Sequence, residues 1–159
     1  MVAQICFTGS RKLTTNIEKL RVISQLKPLR NDPRPWHVGD ASGVDELVRQ
    51  KAKDWGKEIT IYEVEGKEKW HFAKRSQKMI LSSLNLGDTT VFVFPDKLCP
   101  TECTLHKPFS GHGSGTWGTA AYAYNHGAAL KIYPLFSLRD LEENSWFPEW
   151  TEVKQLELF

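Results

Sequence analysis

Glycine, serine, threonine and arginine recur in this chain in short clusters whose spacing suits the holding of an anion. Gly39-Asp40-Ala41-Ser42-Gly43 and Gly113-Ser114-Gly115-Thr116 each join a strand-like run to a helix-like run. A turn at such a junction aims backbone N–H groups and a helix N-terminus at one point, and phosphate is the usual anion bound there. Each of these glycines also has a plain alternative, because strand-to-helix connections use glycine simply to turn. A third cluster, Thr8-Gly9-Ser10-Arg11, closes the first strand-like run. Its arginine suits bidentate phosphate recognition, the alternative being a solvated surface charge.

The carboxylates and soft ligands are placed more ambiguously. Asp40 lies inside a glycine turn, where it repels an anion unless a ribose hydroxyl or Mg²⁺ meets it. A solvent-facing turn aspartate is the competing reading. Ser42 and Asp45 have the spacing of a helix capping box, so Asp45 is expected either to cap or to contact ligand. The long polar segment from Pro95 to Gly113 carries Cys99, Cys103, His106 and His112. Those side chains suit tetrahedral zinc, although their spacing matches no standard finger. The favoured expectation is a lid over the ligand site, with His112 or Trp117 near a base or sugar. Cys6 lies in an apolar run and is expected to be inert core.

The elements that must position these residues alternate regularly. Strand-like runs at Gln4–Thr8, Trp36–Val38, Glu58–Val64, Thr89–Phe94 and Leu130–Tyr133 are separated by helical patterns. Thr15 and Glu18 form a capping box ahead of a helix expected to bury Ile17, Leu20 and Leu26. Lys27 to Pro35, with three prolines, reads as a loop. Val44, Leu47, Val48, Ala52 and Trp55 share a second helix, and Ala73, Met79, Ile80 and Leu84 a third over Trp70–Asn85. A fourth covers Trp117–Asn125, and a short one is expected around Leu138–Glu143. Such alternation predicts an α/β fold: a Rossmann-like, doubly wound, mainly parallel sheet with helices on both faces. Ligands in these sheets sit outside the carboxyl ends of the strands, where the glycine turns would lie.

Bulk properties narrow the partners. A chain of 159 residues is expected to form one domain, 1–159, with a core large enough to need no staples. A net charge of +2 argues against duplex nucleic acid. No apolar run approaches membrane-spanning length and no signal peptide is evident, so a cytoplasmic protein without a membrane partner is expected. Three cysteines fit a reducing compartment better than a disulfide framework. The aromatic tail, with Trp146, Phe147 and Trp150, is either a partner surface or packs back on the domain.

Thr8-Gly9-Ser10-Arg11, Gly39 to Asp45, Arg75-Ser76-Gln77-Lys78-Met79 and Ser114-Gly115-Thr116 occur in the order seen in the SLOG superfamily. The chain resembles the small stand-alone cpYpsA-related branch, over about residues 4–133. The resemblance implies a Rossmann-like fold, a homodimer and binding of a nucleotide-derived ligand, ADP-ribose-like among others. It also implies kinship with LOG-type phosphoribohydrolases, in which an Arg with the spacing of Arg75 to Met79 helps hold the ribose phosphate. Those enzymes carry a glutamate three residues after a Gly-Thr pair. Here Thr119 stands at that place, or Tyr122 if Gly118-Thr119 is the pair.

Three functions follow. The first is a module that senses, carries or sequesters a nucleotide-derived ligand through Thr8 to Arg11, Gly39 to Gly43, Asp45, Arg75 and Gly113 to Thr116. The second is a divergent nucleoside 5′-monophosphate N-glycosidase using Arg75 with Asp40 or Asp45, since a carboxylate stabilises the oxocarbenium-like state. Single-stranded DNA binding is the weakest, because it requires a concentrated basic groove that the sequence does not display.

Overall fold

A computed structural model describes residues 1–110, 115–136 and 148–151. Five parallel strands form one sheet: β1 (Gln4–Gly9), β2 (Trp36–Gly39), β3 (Ile59–Tyr62), β4 (Thr89–Phe94) and β5 (Ala129–Ile132). Their order is β3-β2-β1-β4-β5. The chain winds outward from β1 in one direction, then returns to pair β4 on its other side. That reversal makes the crevice above β1 and β4 the topological switch point, where doubly wound sheets take their ligands. β1 and β4 are almost wholly buried, and only their continuous apolar runs permit that on a strand covered on both faces.

Among the described residues four α-helices cover the sheet: α1 (Asn16–Leu26), α2 (Val44–Asp54), α3 (Lys69–Leu86) and α4 (Gly115–Asn125). Two apolar clusters divide them by face. Val22 and Leu26 of α1 and Val44, Val48 and Ala52 of α2 pack with Ile5, Phe7, Trp36 and Val38. Met79 and Ile80 of α3 and Trp117, Ala120 and Ala121 of α4 pack with Cys6, Val91 and Val93 on the other side. The alternation of strand side chains between faces does the sorting.

The Thr15–Glu18 capping box forms as expected, Thr15 Oγ1 accepting from the Glu18 N–H and Glu18 Oε1 from the Thr15 N–H. The expected apolar face of α1 is corrected: Ile17 and Leu20 are 65% and 62% exposed. Val22 and Leu26, one turn apart, define the buried stripe. Pro28 lies in a single 3₁₀ turn, Lys27–Leu29, before the loop. Trp150 packs back on the domain, edge-on to Trp117 and donating its indole N–H to the Cys103 carbonyl at 3.2 Å. Trp146, Phe147 and the helix expected near 138–143 lie outside the described residues. Among the described residues no helix is long and apolar enough to cross a membrane.

Candidate functional site

Charge gathers at the carboxyl end of β2. Gly39 ends that strand, and the space a Cβ would occupy there is filled by two side chains. The Arg75 guanidinium carbon and Asp45 Oδ2 both lie 2.7 Å from it. The missing side chain leaves room for α3 and α2 each to send a charged group onto the strand backbone. Arg75 Nη1 donates to Asp40 Oδ1 at 2.8 Å, and the Val64 N–H donates to Asp40 Oδ2 at 3.1 Å. Asp45 Oδ2 accepts from the Ala41 N–H at 3.3 Å. From the next turn of α2, Arg49 Nη1 donates to the carbonyls of Gly39 and Ala41 at 2.8 and 2.9 Å, fixing the turn from behind.

The two carboxylates are tuned in opposite directions. Partial burial works against the charge on Asp40, but the Val64 N–H and the Arg75 guanidinium outweigh it and hold the carboxyl below its ordinary value. Asp45 is 5% exposed. Burial pushes its carboxyl up to about 6, against the opposing pull of Arg75, the Ala41 N–H and Arg49. One turn therefore holds an acid that stays ionised beside one poised near neutrality, an arrangement suited to proton exchange.

Gly43 answers a different demand. Its φ is +74°, and a Cβ there would meet the Ser10 carbonyl oxygen at 2.3 Å and the Arg11 carbonyl carbon at 2.4 Å. The loop after β1 crosses the start of α2 so closely that the Val44 N–H donates to the Ser10 carbonyl at 2.9 Å. Ser42 does not cap α2. Its hydroxyl donates to the Arg11 carbonyl at 2.9 Å, and Gly43 stands at the cap position with no side chain to accept. The expected Ser42–Asp45 capping box is thus replaced by a backbone crossing that binds the first two glycine clusters together.

At the switch point Ser10 is buried, its N–H bonded to the Phe94 carbonyl at 3.1 Å and its hydroxyl to Asp96 Oδ2 at 2.9 Å. Thr8 and Gly9 stand beside Val93 and Phe94 in the β1–β4 register. Arg11 swings the other way, its guanidinium 4.4 Å over the Phe72 ring of α3. Gly115 and Thr116 begin α4; Gly113 and Ser114 lie outside the described residues. Thr119 is buried, its hydroxyl donating to the Gly115 carbonyl at 2.8 Å within the helix. Thr8 to Arg11, Gly39 to Gly43, Asp45 and Arg75 thus come together at one edge. Asp96 and Arg49 belong to the same edge and escaped sequence reasoning. Asp96, two residues past the end of β4, was the more findable, since that is where a doubly wound sheet places site residues.

The loop after β4 departs from expectation. Trp117 is fully buried, its indole N–H bonded to the Lys97 carbonyl at 2.8 Å, so it stands in the core and not beside a sugar or base. Residues 105–110 form a cleft of about 430 Å³ with Gln77 of α3 and Tyr122, Asn125 and His126 of α4. That cleft lies on the α3–α4 flank, away from the turns. Of the candidate zinc ligands, Cys99, Cys103 and His106 do not converge: among the described residues no three His, Cys, Asp or Glu side chains are grouped to hold a metal ion. His106 lines the cleft, Cys103 is buried and Cys99 half-buried, and His112 is outside the described residues. Cys6 is buried core, its thiol bonded to Ser83 Oγ at 3.0 Å and pushed by burial up to about 12.

The chain matches no protein-family model and no curated protein. Among solved structures it is similar to DNA processing protein A (DprA) from Streptococcus pneumoniae, with a TM-score of 0.61 and 16% sequence identity. The match covers 87% of this chain and 52% of that one, so the chain spans about half the length of its neighbour. The likeness shows a shared Rossmann-like fold.

Proposed function

We propose that the chain binds the phosphorylated end of a nucleotide or nucleotide-derived molecule at the carboxyl edge of its sheet, as a sensor, carrier or sequestering module, and that it is a SLOG protein of the cpYpsA-related branch. The Arg75–Asp40 pair over Gly39 carries this reading. A carboxylate oxygen sits 2.8 Å from Arg75 Nη1, where a phosphate oxygen of a bound ligand would make the same charge-assisted bond. The ligand then displaces Asp40 from the guanidinium, and the start of α4 offers a second anion-binding terminus across the switch point.

Calorimetric titration with nucleoside 5′-monophosphates and ADP-ribose tests it. Arg75→Ala is expected to weaken binding roughly 10- to 100-fold, the worth of a hydrogen bond to a charged group. Asp40→Asn is expected to tighten it by freeing the guanidinium, and the ligand is recovered intact. Equal affinity in the parent and Arg75→Ala would sink the reading.

A second reading rests on a specific surface. Trp70 is 61% exposed at the start of α3, Arg11 covers Phe72, and Lys67, Lys69, Lys74 and Lys78 surround them in sequence. Aromatic platforms among cations suit single-stranded nucleic acid, and the structural neighbour is a DNA-processing protein. Anisotropy with a labelled oligothymidine separates the two: Trp70→Ala lowers oligonucleotide affinity and leaves mononucleotide affinity unchanged.

A further inference from the structure

The cleft of about 430 Å³ between α3, α4 and the loop after β4 takes no part in the carboxyl-edge site. Gly118 prepares one wall of it. A Cβ there would lie 2.5 Å from Phe109 Cδ1 and 3.0 Å from the Pro108 carbonyl oxygen, so the missing side chain lets the Phe109 ring rest on the α4 backbone. Tyr122, one turn further along, follows at 6.1 Å between ring centroids. The His126 ring then stacks on Tyr122 at 4.1 Å and 26°. His126 Nδ1 donates to the Tyr122 carbonyl at 2.8 Å, which fixes the ring and leaves Nε2 the acceptor of the neutral imidazole. Three rings thus form a row along α4.

The facing side combines a braced loop with one amide. The Lys107 N–H donates to Thr104 Oγ1 at 3.1 Å, and Ser110 Oγ lies 2.6 Å from the Glu102 carbonyl and 2.8 Å from that of Lys107. Gln77 enters from α3, two residues after Arg75 and so roughly 200° around the helix from the Asp40 pair. It is half-buried, and its amide makes no hydrogen bond among the described residues. A cleft of this size, with aromatic walls and a few placed polar groups, is the ordinary form of a small-molecule site.

We propose that this cleft binds the base of an adenine nucleoside, as a second site separate from the carboxyl edge. The ring row offers a stacking face to a planar base. The Gln77 amide holds a donor and an acceptor side by side, the complement of adenine N7 and its N6 amino group. A base with acceptors at both positions would leave the Gln77 carbonyl unmatched, and an aliphatic ligand would leave the whole amide unpaired.

The test is an NMR titration of the isotope-labelled protein with adenosine, which carries no phosphate for Arg75 to hold. The side-chain amide of Gln77 and the ring signals of Tyr122 and His126 are expected to shift together and saturate. Inosine, with acceptors at both positions, is expected to bind at least about 5-fold more weakly. Gln77→Leu removes that preference while the ring shifts persist, and Tyr122→Ala weakens both nucleosides about 10-fold. The map on the parent protein depends on no variant's folding. No saturable shift at Gln77, Tyr122 and His126, shifts centred on Gly39 to Asp45 instead, or equal binding of the two nucleosides would each overturn the proposal. The two sites report through separate residues, so failure at the cleft leaves the carboxyl-edge reading standing, and the reverse holds.

Discussion

His37 and Asp45 are both ionisable, both buried at 1% and 5% exposure, and both belong to the β2–α2 unit, yet the protein treats them in opposite ways. His37 lies within the sheet in a closed neutral chain. Gln4 Nε2 donates to the Val2 carbonyl at 2.8 Å, which turns Gln4 Oε1 toward His37 Nε2 at 2.6 Å. The Nε2 atom therefore carries the proton, leaving Nδ1 to accept from the Tyr62 hydroxyl at 2.9 Å. Asp45 lies at the carboxyl edge among Arg75, Arg49 and Asp40, held by charge as much as by hydrogen bonds. Satisfied neutral networks rigidify a core. A buried acid among unevenly paired charges has the shifted ionisation that marks a candidate functional site. The contrast sets a satisfied neutral network against a perturbed charged one.

The harshest way to break that contrast is to disturb the edge without touching a charge. Gly43→Ala places a Cβ at positive φ against two backbone groups that cannot move independently. Positive-φ strain and overpacking add, and a loss of about 4 kcal/mol is expected in urea or guanidinium unfolding. A loss below about 1 kcal/mol would mean that the β1 loop and the start of α2 part easily, leaving Gly43 open to a ligand role. Next in size is His37→Phe, which fills the same space but strands the Tyr62 hydroxyl and Gln4 Oε1. Two buried groups without partners cost roughly 3 kcal/mol together. Affinity for any nucleotide bound at the edge should be unchanged, and a parallel loss of affinity would erase the division of labour.

How far the sequence revealed this depends on the range of each interaction. The strand-helix alternation is local, and so is the Thr15–Glu18 box; both read directly as a doubly wound sheet with a capped first helix. The residues of the edge were legible because Thr8 to Arg11 and Gly39 to Gly43 sit at strand ends, and topology brings strand ends together. What the cluster does with them was not. Gly43 read as a phosphate-cradle glycine or a plain turn glycine; what demands glycine there is the approach of the Ser10 and Arg11 carbonyls, more than thirty residues away. Asp40 read as a ribose or Mg²⁺ contact or as a solvent-facing turn aspartate; its partners are Arg75 on another helix and the Val64 N–H. The Gln4–His37–Tyr62 chain joins three strands and leaves no periodic trace in any of them. Ile17 and Leu20 misled because an exposed apolar residue is common and says little by itself.

The finest test of the contrast is the pH dependence of stability, because the two groups push it in opposite directions. The Asp45 carboxyl rises from 3.8 to about 6 on folding. Between those values the folded protein binds more protons than the unfolded chain, so unfolding free energy falls as pH rises. Asp45 thus favours the folded state most in acid and loses that contribution by about pH 6, a change on the order of 1–3 kcal/mol. Burial lowers the His37 imidazole from 6.5, with Glu58 opposing. Its contribution is present above 6.5 and is lost as pH falls below that value. In the parent the two slopes partly cancel across mildly acidic pH. Asp45→Asn removes one of them, and chemical denaturation between about pH 4 and pH 7 should then show stability rising with pH, the direction set by His37 and, at the acid end, by the lowered carboxyls of Glu18, Asp32 and Asp40. His37→Phe should leave the opposite slope. If Asp45→Asn reproduces the parent profile, Asp45 ionises as an ordinary surface acid, and the edge is no more strained electrostatically than the core.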